Sequence, residues 1–410
     1  MSNVRPDTKA FLNISSLALI VRTLEGGGMQ RIVLLLAEAF AKSGVQVEVL
    51  TGHDAGINAK LPPGVSVCCL PHSDAFSSAA TLLKAHPHDA LRLLPLLTPL
   101  KPDMFWRLPA LIAHLRIAKP DAILAAGTQS NLAAIIARAA AGIPARLVVS
   151  EHNTLSVVAQ RGHGLFRRAY PELVRRFYPE ADAIAAVSRG VAQDLARTAH
   201  LPEELITLVY NPVDAEAVTR AGQMLLEHPW LTDRSHPLIL GVGRLHRQKD
   251  FPTLIRAFAI ARKGRDLRLV ILGEGNERKM LETLCHQLGV RDDVFMPGFV
   301  DNPYAWMSRA SLFVLSSAWE GFALVLLEAL ASGCPVISTD CPNGPCEILQ
   351  DGAYGPLVPI GNPEAMAAAM LATLAAPPDA ARLRARAAEF SVEATVAGYR
   401  RLLEGVDGRG

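Results

Sequence analysis

Residues 316–338 read SSAWEGFALVLLEALASGCPVIS, and the parsing of this stretch decides the fold. The run leading into it, ASLFVLS at 310–316, is short and apolar, the mark of a buried strand. Residues 322–332 carry apolar side chains nearly all round and stop at Gly333, with Pro335 just beyond. That pattern predicts a buried helix with its stop signals. Glu320 falls before the helix, beside its exposed N–H groups, and Glu328 falls about two turns inside it. A helix N-terminus attracts anions, so two carboxylates beside one imply a ligand between them. A sugar joined to a diphosphate fits, with phosphate on the N–H groups and hydroxyls on the carboxylates. The same pair also reads as a capping glutamate and one polar residue on a buried helix, and spacing alone leaves both readings open.

At 410 residues the default is two domains, and with half the residues hydrophobic and a fifth charged each can bury a sizeable core. Lys and Arg number 41 against 39 Asp and Glu, a net charge of +2, which argues against nucleic-acid binding through bulk charge. Cys68, Cys69, Cys285, Cys334, Cys341 and Cys346 show no CxxC pair or zinc-like spacing and read as reduced thiols. The opening MSNVRPDTKAFLN lacks the apolar centre of a signal peptide, and no run of about 18 apolar residues occurs. The expectation is a cytoplasmic protein that does not span a membrane.

Outward from the opening stretch, strand and helix signals alternate in both halves. In the first half, 16–21 (SLALIV) is a strand, followed by a loop with Gly26, Gly27 and Gly28 and a helix over 32–41. Those glycines either make the turn or let a ligand approach the backbone; they do not form the spaced G-x-G-x-x-G fingerprint. Strands follow at 45–51, 122–126 and 145–150, the last running into Glu151, His152 and Asn153, where parallel sheets bind ligands. Residues 71–120 give amphipathic pieces broken by prolines, which either pack on the sheet or meet an apolar acceptor or membrane surface. The stretch FRRAYPELVRRF at 166–177 sets Arg167, Arg168, Arg175 and Arg176 among aromatics. It reads as a solvated basic face or as an attraction for anionic lipid or a phosphorylated acceptor. Residues 183–188 and 206–210 are further strands, 189–198 a helix, and 215–237 an interdomain connection. The second half restarts with a strand at 238–243, the loop RLHRQKD, and a helix with Asp250 as N-cap and Pro252 near its first position. Arg244 and Lys249 flank that loop, where a diphosphate would need cations. Strands at 268–272, 294–296 and 334–339 complete the pattern.

Taken together, GVGRLHRQKDFPTLIRAFA, LGEGNER, PGFV, SSAWEGFALVLLEALASGCPVISTD and FSVEATVAGYRRLL resemble glycosyltransferase family 4. GGMQR, SEHN, AVSRGVAQDL and YNPVD extend the likeness into the first half. The resemblance implies the α/β GT-B fold: two facing, Rossmann-like, doubly wound parallel-sheet domains with an interdomain cleft. The expected domains are 1–214 for the acceptor, a connection at 215–237, 238–390 for a nucleotide-sugar, and a helix at 391–410 crossing back to the first domain. It further implies that Arg244 and Lys249 clamp the diphosphate, that Glu328 holds the ribose, and that Glu320 holds the transferred sugar. Gly321, Phe322 and Ala323 would offer N–H groups, Phe299 and Val300 would border the base, His152 would approach the donor sugar, and Gly27 and Gly28 would close over the phosphates.

Two departures stand out: Ala323 replaces a common glycine or proline, and Val392 a common tryptophan. The chain contains no Asp-x-Asp, so the cations and helix dipoles must stabilise the departing diphosphate; no metal or other cofactor is expected. The implied reaction is retaining transfer from a nucleotide-diphosphate sugar, a UDP-sugar before GDP-mannose, to a glycan or lipid-linked acceptor at the inner face of the membrane. A GT-B epimerase or phosphorylase and a non-catalytic sugar-nucleotide sensor are the alternatives. The first two want acid–base carboxylates or a pyridoxal-phosphate lysine that the sequence does not single out.

Overall fold

Short runs of Val, Ile, Leu and Ala build two separate parallel sheets in the computed structural model, which describes residues 13–24, 27–52, 61–97, 102–161, 165–232 and 235–406. The chain divides into two compact units. The first comprises Met1–Val187, Ala192–Val209 and Thr395–Gly410; the second comprises Ser188–Val191 and Tyr210–Ala394.

The first unit holds β1 (Ser16–Val21), β2 (Gln46–Thr51), β3 (Val65–Cys69), β4 (Ala122–Ala126), β5 (Arg146–Glu151), β6 (Ala183–Ala186) and β7 (Ile206–Leu208). Their order is β3-β2-β1-β4-β5-β6-β7, every pair parallel, so the strand order reverses between β1 and β4. Strands β1, β4 and β5 are almost wholly buried, as an α/β sheet covered on both faces requires. The proline-broken segment packs on this sheet. Leu82, Leu93, Met104, Phe105, Leu108, Leu111 and Leu115 join one core with Ile20, Ile123, Val149 and Phe177. Pro109 stands in the first turn of the helix Leu108–Ala118, where its missing N–H costs nothing.

The C-terminal helix Val392–Glu404 contributes to the same unit from Thr395 onward. Tyr399 Oη lies 2.7 Å from Ser150 Oγ, and Arg146 Nε donates to the Leu402 carbonyl at 2.6 Å.

The second unit holds β8 (Leu238–Val242), β9 (Arg268–Leu272), β10 (Val294–Gly298), β11 (Leu312–Leu315), β12 (Val336–Thr339) and β13 (Leu357–Val358). Its order is β10-β9-β8-β11-β12-β13, again parallel, with the reversal between β8 and β11. The stretch 215–237, read from sequence as a connection, includes the helix Ala215–Gly222, and falls in this unit. The two doubly wound sheets are the Rossmann-like halves of the GT-B class.

Two strands and two helix starts differ most from the sequence reading. Strands β3 and β13 add edges that the sequence did not announce. The first glycine-loop helix begins at Gly28 rather than at 32, with Gly27 as its N-cap, while Gly26 lies outside the described residues. The opening helix runs only over Leu324–Ala331, because Ala323 before it is left-handed, with φ 52° and ψ 53°.

Candidate functional site

In the second unit the loops after β8 and β11 flank the strand-order reversal, where open parallel sheets bind ligands. The loop after β8 is RLHRQKD, and the one after β11 is SSAWEGFA. The loops after β8 and β9 approach at backbone distance. A Cβ on Gly273, whose φ is +140°, would sit 2.0 Å from the Gly243 carbonyl oxygen, so only glycine serves there.

These loops bring Lys249 and Glu320 together. Lys249 Nζ lies 2.6 Å from Glu320 Oε1, with the two side chains only 17% and 8% exposed. Ser317 Oγ donates to the same oxygen at 2.6 Å, and Gln248 Nε2 lies 3.4 Å from Oε2. Oε1 of the carboxylate is therefore spent on holding the lysine and the Ser317 hydroxyl. Glu328 is buried on the helix Leu324–Ala331 and accepts the Tyr304 hydroxyl at 3.0 Å through Oε1. Arg244 is exposed. Phe322 and Ala323 are buried just before that helix, and the Gly344 backbone presses on Phe322. Phe299 follows β10 with 71% of its surface exposed, an apolar ring left in solvent, and Val300 next to it is half-buried.

Both helices at this reversal start on a left-handed residue. Asp250 has φ 44° and precedes Phe251–Ala261; it is the N-cap by position, but its carboxylate accepts the Thr253 hydroxyl rather than a backbone N–H. Burial raises its pKa above the usual carboxylate value.

The first unit carries the other candidates. Gly27 and Gly28 are exposed at the start of the helix Gly28–Lys42. Glu151, last residue of β5, is fully buried and takes the Thr128 and Tyr178 hydroxyls at 3.0 and 2.8 Å. It also accepts the N–H groups of His152 and Asn153 at 3.1 Å each. It is an anchor that shapes the loop, and burial raises its pKa. The His152 ring reaches Ser150 Oγ at 3.1 Å through Nε2, and Ser150 in turn meets Tyr399. An apolar cavity of about 10 Å³ adjoins it, lined by Leu19, Ile32, Leu124 and others. Burial brings its pKa down to about 4, so the imidazole is neutral at physiological pH.

Sequence reasoning gave no role to Gln248, Ser317, Tyr304 or Tyr399. Gln248 and Ser317 lie inside the motifs that were singled out, beside Lys249 and Glu320, and Tyr399 lies inside FSVEATVAGYRRLL; nothing marked Tyr304. Among the described residues, one group of acids, cysteines and histidines is close enough to share a metal ion: Glu48, Cys68 and His114, at β2, β3 and the helix Leu108–Ala118. Neither Glu320 nor Glu328 belongs to it.

Comparison with known proteins follows the same division. The family model described as Glycosyltransferase Family 4 matches residues 26–217, and that described as Glycosyl transferases group 1 matches residues 227–390. A Campylobacter jejuni protein, N-acetylgalactosamine-N,N'-diacetylbacillosaminyl-diphospho-undecaprenol 4-alpha-N-acetylgalactosaminyltransferase, is 36% identical over 58% of this chain and 62% of its own length. Alpha-D-kanosaminyltransferase of Streptomyces kanamyceticus is 32% identical over 63% of this chain and 67% of its own. The matched region thus spans about three fifths to two thirds of these relatives. The crystal structure of Anabaena Alr3699/HepE in complex with UDP and glucose superposes with a TM-score of 0.75, covering 95% of this chain and 100% of that one at 19% identity. At that identity the superposition speaks for the fold. With both halves matched by models of one family and the relatives agreeing, the chain belongs to the glycosyltransferases of the group 1, family 4 type.

Proposed function

We propose that this protein is a retaining, metal-independent glycosyltransferase. It moves a hexose or N-acetylhexosamine from a nucleotide-diphosphate sugar, a UDP-sugar before GDP-mannose, to a glycan or glycolipid acceptor in cell-surface polysaccharide or lipopolysaccharide synthesis. The observation that carries this reading is the shielded Lys249–Glu320 pair at the β8/β11 reversal, with Glu328 following on the adjoining helix. The family membership and the relatives' names support it.

In this reading Lys249 and Arg244 meet the diphosphate, Glu328 the ribose and Phe299 with Val300 the base. Gly321, Phe322 and Ala323 turn N–H groups toward phosphate or sugar, and Glu320 holds the hydroxyls of the transferred sugar. Gly27 and Gly28 approach the phosphates, and the neutral His152 hydrogen-bonds the donor sugar. The bond from the anomeric carbon to the phosphate oxygen breaks with its electron pair leaving on the diphosphate, whose growing charge the two cations stabilise. The acceptor oxygen bonds to the same face of that carbon, and its proton passes to the departing phosphate. Positioning of the reactants supplies the rest of the rate.

The test is release of UDP from UDP-sugars in excess EDTA. Full activity is expected; loss that Mg²⁺ or Mn²⁺ restores would remove the metal-free mechanism, and no release from any nucleotide-sugar would remove the transferase.

We also infer a loose attachment to the cytosolic face of an anionic membrane. Phe76, Leu91 and Leu94 are exposed in the first unit, and Arg168 and Arg175 are exposed on the helix Leu165–Phe177. Each basic residue near such a surface adds about 1 kcal/mol. Co-sedimentation with phosphatidylserine vesicles should fall with salt and in an Arg168→Ala/Arg175→Ala variant; binding indifferent to anionic lipid would end this reading. No helix among the described residues is long and apolar enough to cross a membrane.

A further inference from the structure

The four arginines of 167–176 look alike in sequence, but the structure separates them. Arg176 is neutralised by Asp89 at 2.7 Å and Glu180 at 2.5 Å, and Arg175 lies 4.0 Å from Glu172. Arg168 is exposed to solvent. Arg167 is half-buried, and its Nε is enclosed with no hydrogen-bond partner among the described residues. A desolvated guanidinium donor left unmet is costly, so such a group in a folded protein points to an acceptor that arrives from outside.

Arg167 has company. The buried hydroxyl of Tyr170 feels the charge of both Arg167 and Arg22, and Gln129 reaches the same hydroxyl. Arg22 directly follows β1, is exposed, and has no side-chain hydrogen bond or ion pair among the described residues. Gln129 is the second residue of the helix Thr128–Ala141, just after β4, and its Oε1 is enclosed without a partner, so its amide can be turned to donate. Glu151, which also acts on Tyr170, has its oxygens turned to the Thr128 and Tyr178 hydroxyls and two backbone N–H groups, and among the described residues it makes no ion pair with either arginine. The cluster therefore sets two guanidinium groups with no ion-pair partner among the described residues where the strand order of the first sheet reverses.

We propose that Arg22 and Arg167, with Gln129 and the Tyr170 hydroxyl, bind a phosphate or diphosphate group carried by the acceptor. The inference rests on the transferase reading and deepens it: the acceptor is a glycan linked through a phosphate ester, not a neutral sugar. Guanidinium groups suit this task because they offer paired donors that match phosphate oxygens, and two of them match the charge of a diphosphate.

Titration calorimetry of inorganic pyrophosphate into the full chain, held saturated with UDP, tests it. One pyrophosphate site should remain once UDP fills the second unit. Arg22→Gln and Arg167→Gln should each weaken it about tenfold or more, and the pair should abolish it. Arg167→Lys should restore part of the affinity, Arg401→Gln should change nothing, and UDP affinity should hold in all of them. Arg22 is exposed, so its variant reads binding without risk to folding. Pyrophosphate binding that ignores these substitutions, or that UDP or Lys249→Ala eliminates, overturns the proposal. Should neither UDP nor GDP bind, the transferase reading falls, and the same variants titrated without nucleotide still decide the arginine site. Competition then names the source: displacement by a soluble sugar 1-phosphate or by a short prenyl diphosphate supports the site, and displacement by neither overturns it.

Discussion

Removing the Lys249 ammonium separates what the donor-side pair does for folding from what it does for chemistry. Nζ is 2.6 Å from Glu320 Oε1 and both side chains are shielded. Lys249→Ala leaves the carboxylate in place with the Ser317 hydroxyl at 2.6 Å and the Gln248 amide at 3.4 Å. Stripping one partner from a buried pair costs about 3–5 kcal/mol, because the other charge stays buried uncompensated. The two remaining donors set the expectation at the lower end, about 3 kcal/mol. Glu320→Ala leaves instead a flexible lysine that can turn its ammonium to water, at a cost of about 1 kcal/mol. The double variant should lose less than Lys249→Ala alone, a coupling of about 2 kcal/mol. Urea unfolding followed by tryptophan fluorescence measures this, since Trp230, Trp306 and Trp319 lie in the second unit and Trp106 in the first. The exposed Arg244 supplies the contrast: Arg244→Ala should keep stability yet cut kcat on the order of 100-fold, as loss of a preorganised cation does. Lys249→Ala unfolding at the parent midpoint, or single costs that simply add, would refute the shielded pair. Full activity in both variants would refute the clamp.

Ala323 and His152 give two further expectations. Because Ala323 is left-handed, Ala323→Gly should be neutral within about 0.5 kcal/mol, relief of the backbone offsetting the lost methyl and the looser unfolded chain. Ala329→Gly, at a buried right-handed position of the next helix, should cost about 1.5 kcal/mol; equal costs would deny the left-handed conformation. His152 has its folded pKa lowered from 6.5 to about 4, so its stabilising effect is full above pH 6.5 and fades as pH falls toward 4, when the unfolded chain takes up a proton that the folded one refuses. The loss is up to about 3 kcal/mol, and His152→Gln should flatten that acid limb; an NMR titration of His152 with its midpoint near 6.5 would contradict it.

Much of this was legible in the chain because strands buried on both faces are written as uninterrupted apolar runs. SLALIV, AILAA and RLVIL stand in the structure where the sequence puts them. Strand β3 escaped because it is an edge strand with none of its five residues fully buried, so no apolar run or clean alternation announces it. Strand β13 is two residues long. The left-handed turn at Ala323 was illegible for a different reason: an alanine before an apolar helix gives no sign that the chain has reversed its twist. The Glu320 and Glu328 spacing was visible, but the lysine that occupies one carboxylate is 71 residues earlier, and such a pairing exists only once β8 and β11 lie side by side. Equally, four arginines in one helix read as one basic face until the acids around them are placed.

The hydroxyl chain Tyr399–Ser150–His152 joins residues 249 positions apart, and the whole second sheet is translated between its two ends. On the ribosome, therefore, the unit that begins first is completed last. Its strands β1 to β7 are present early, but the Leu402 carbonyl that receives Arg146 and the tyrosine that fixes Ser150 emerge only after β13. A domain that waits for its final helix keeps that face of its sheet open through the synthesis of another, the interval in which exposed apolar strands are most prone to wrong partners. The histidine loop is held in its finished arrangement only when both units have been made, so a nascent or interrupted chain lacks the fixed ring on which the proposed chemistry depends.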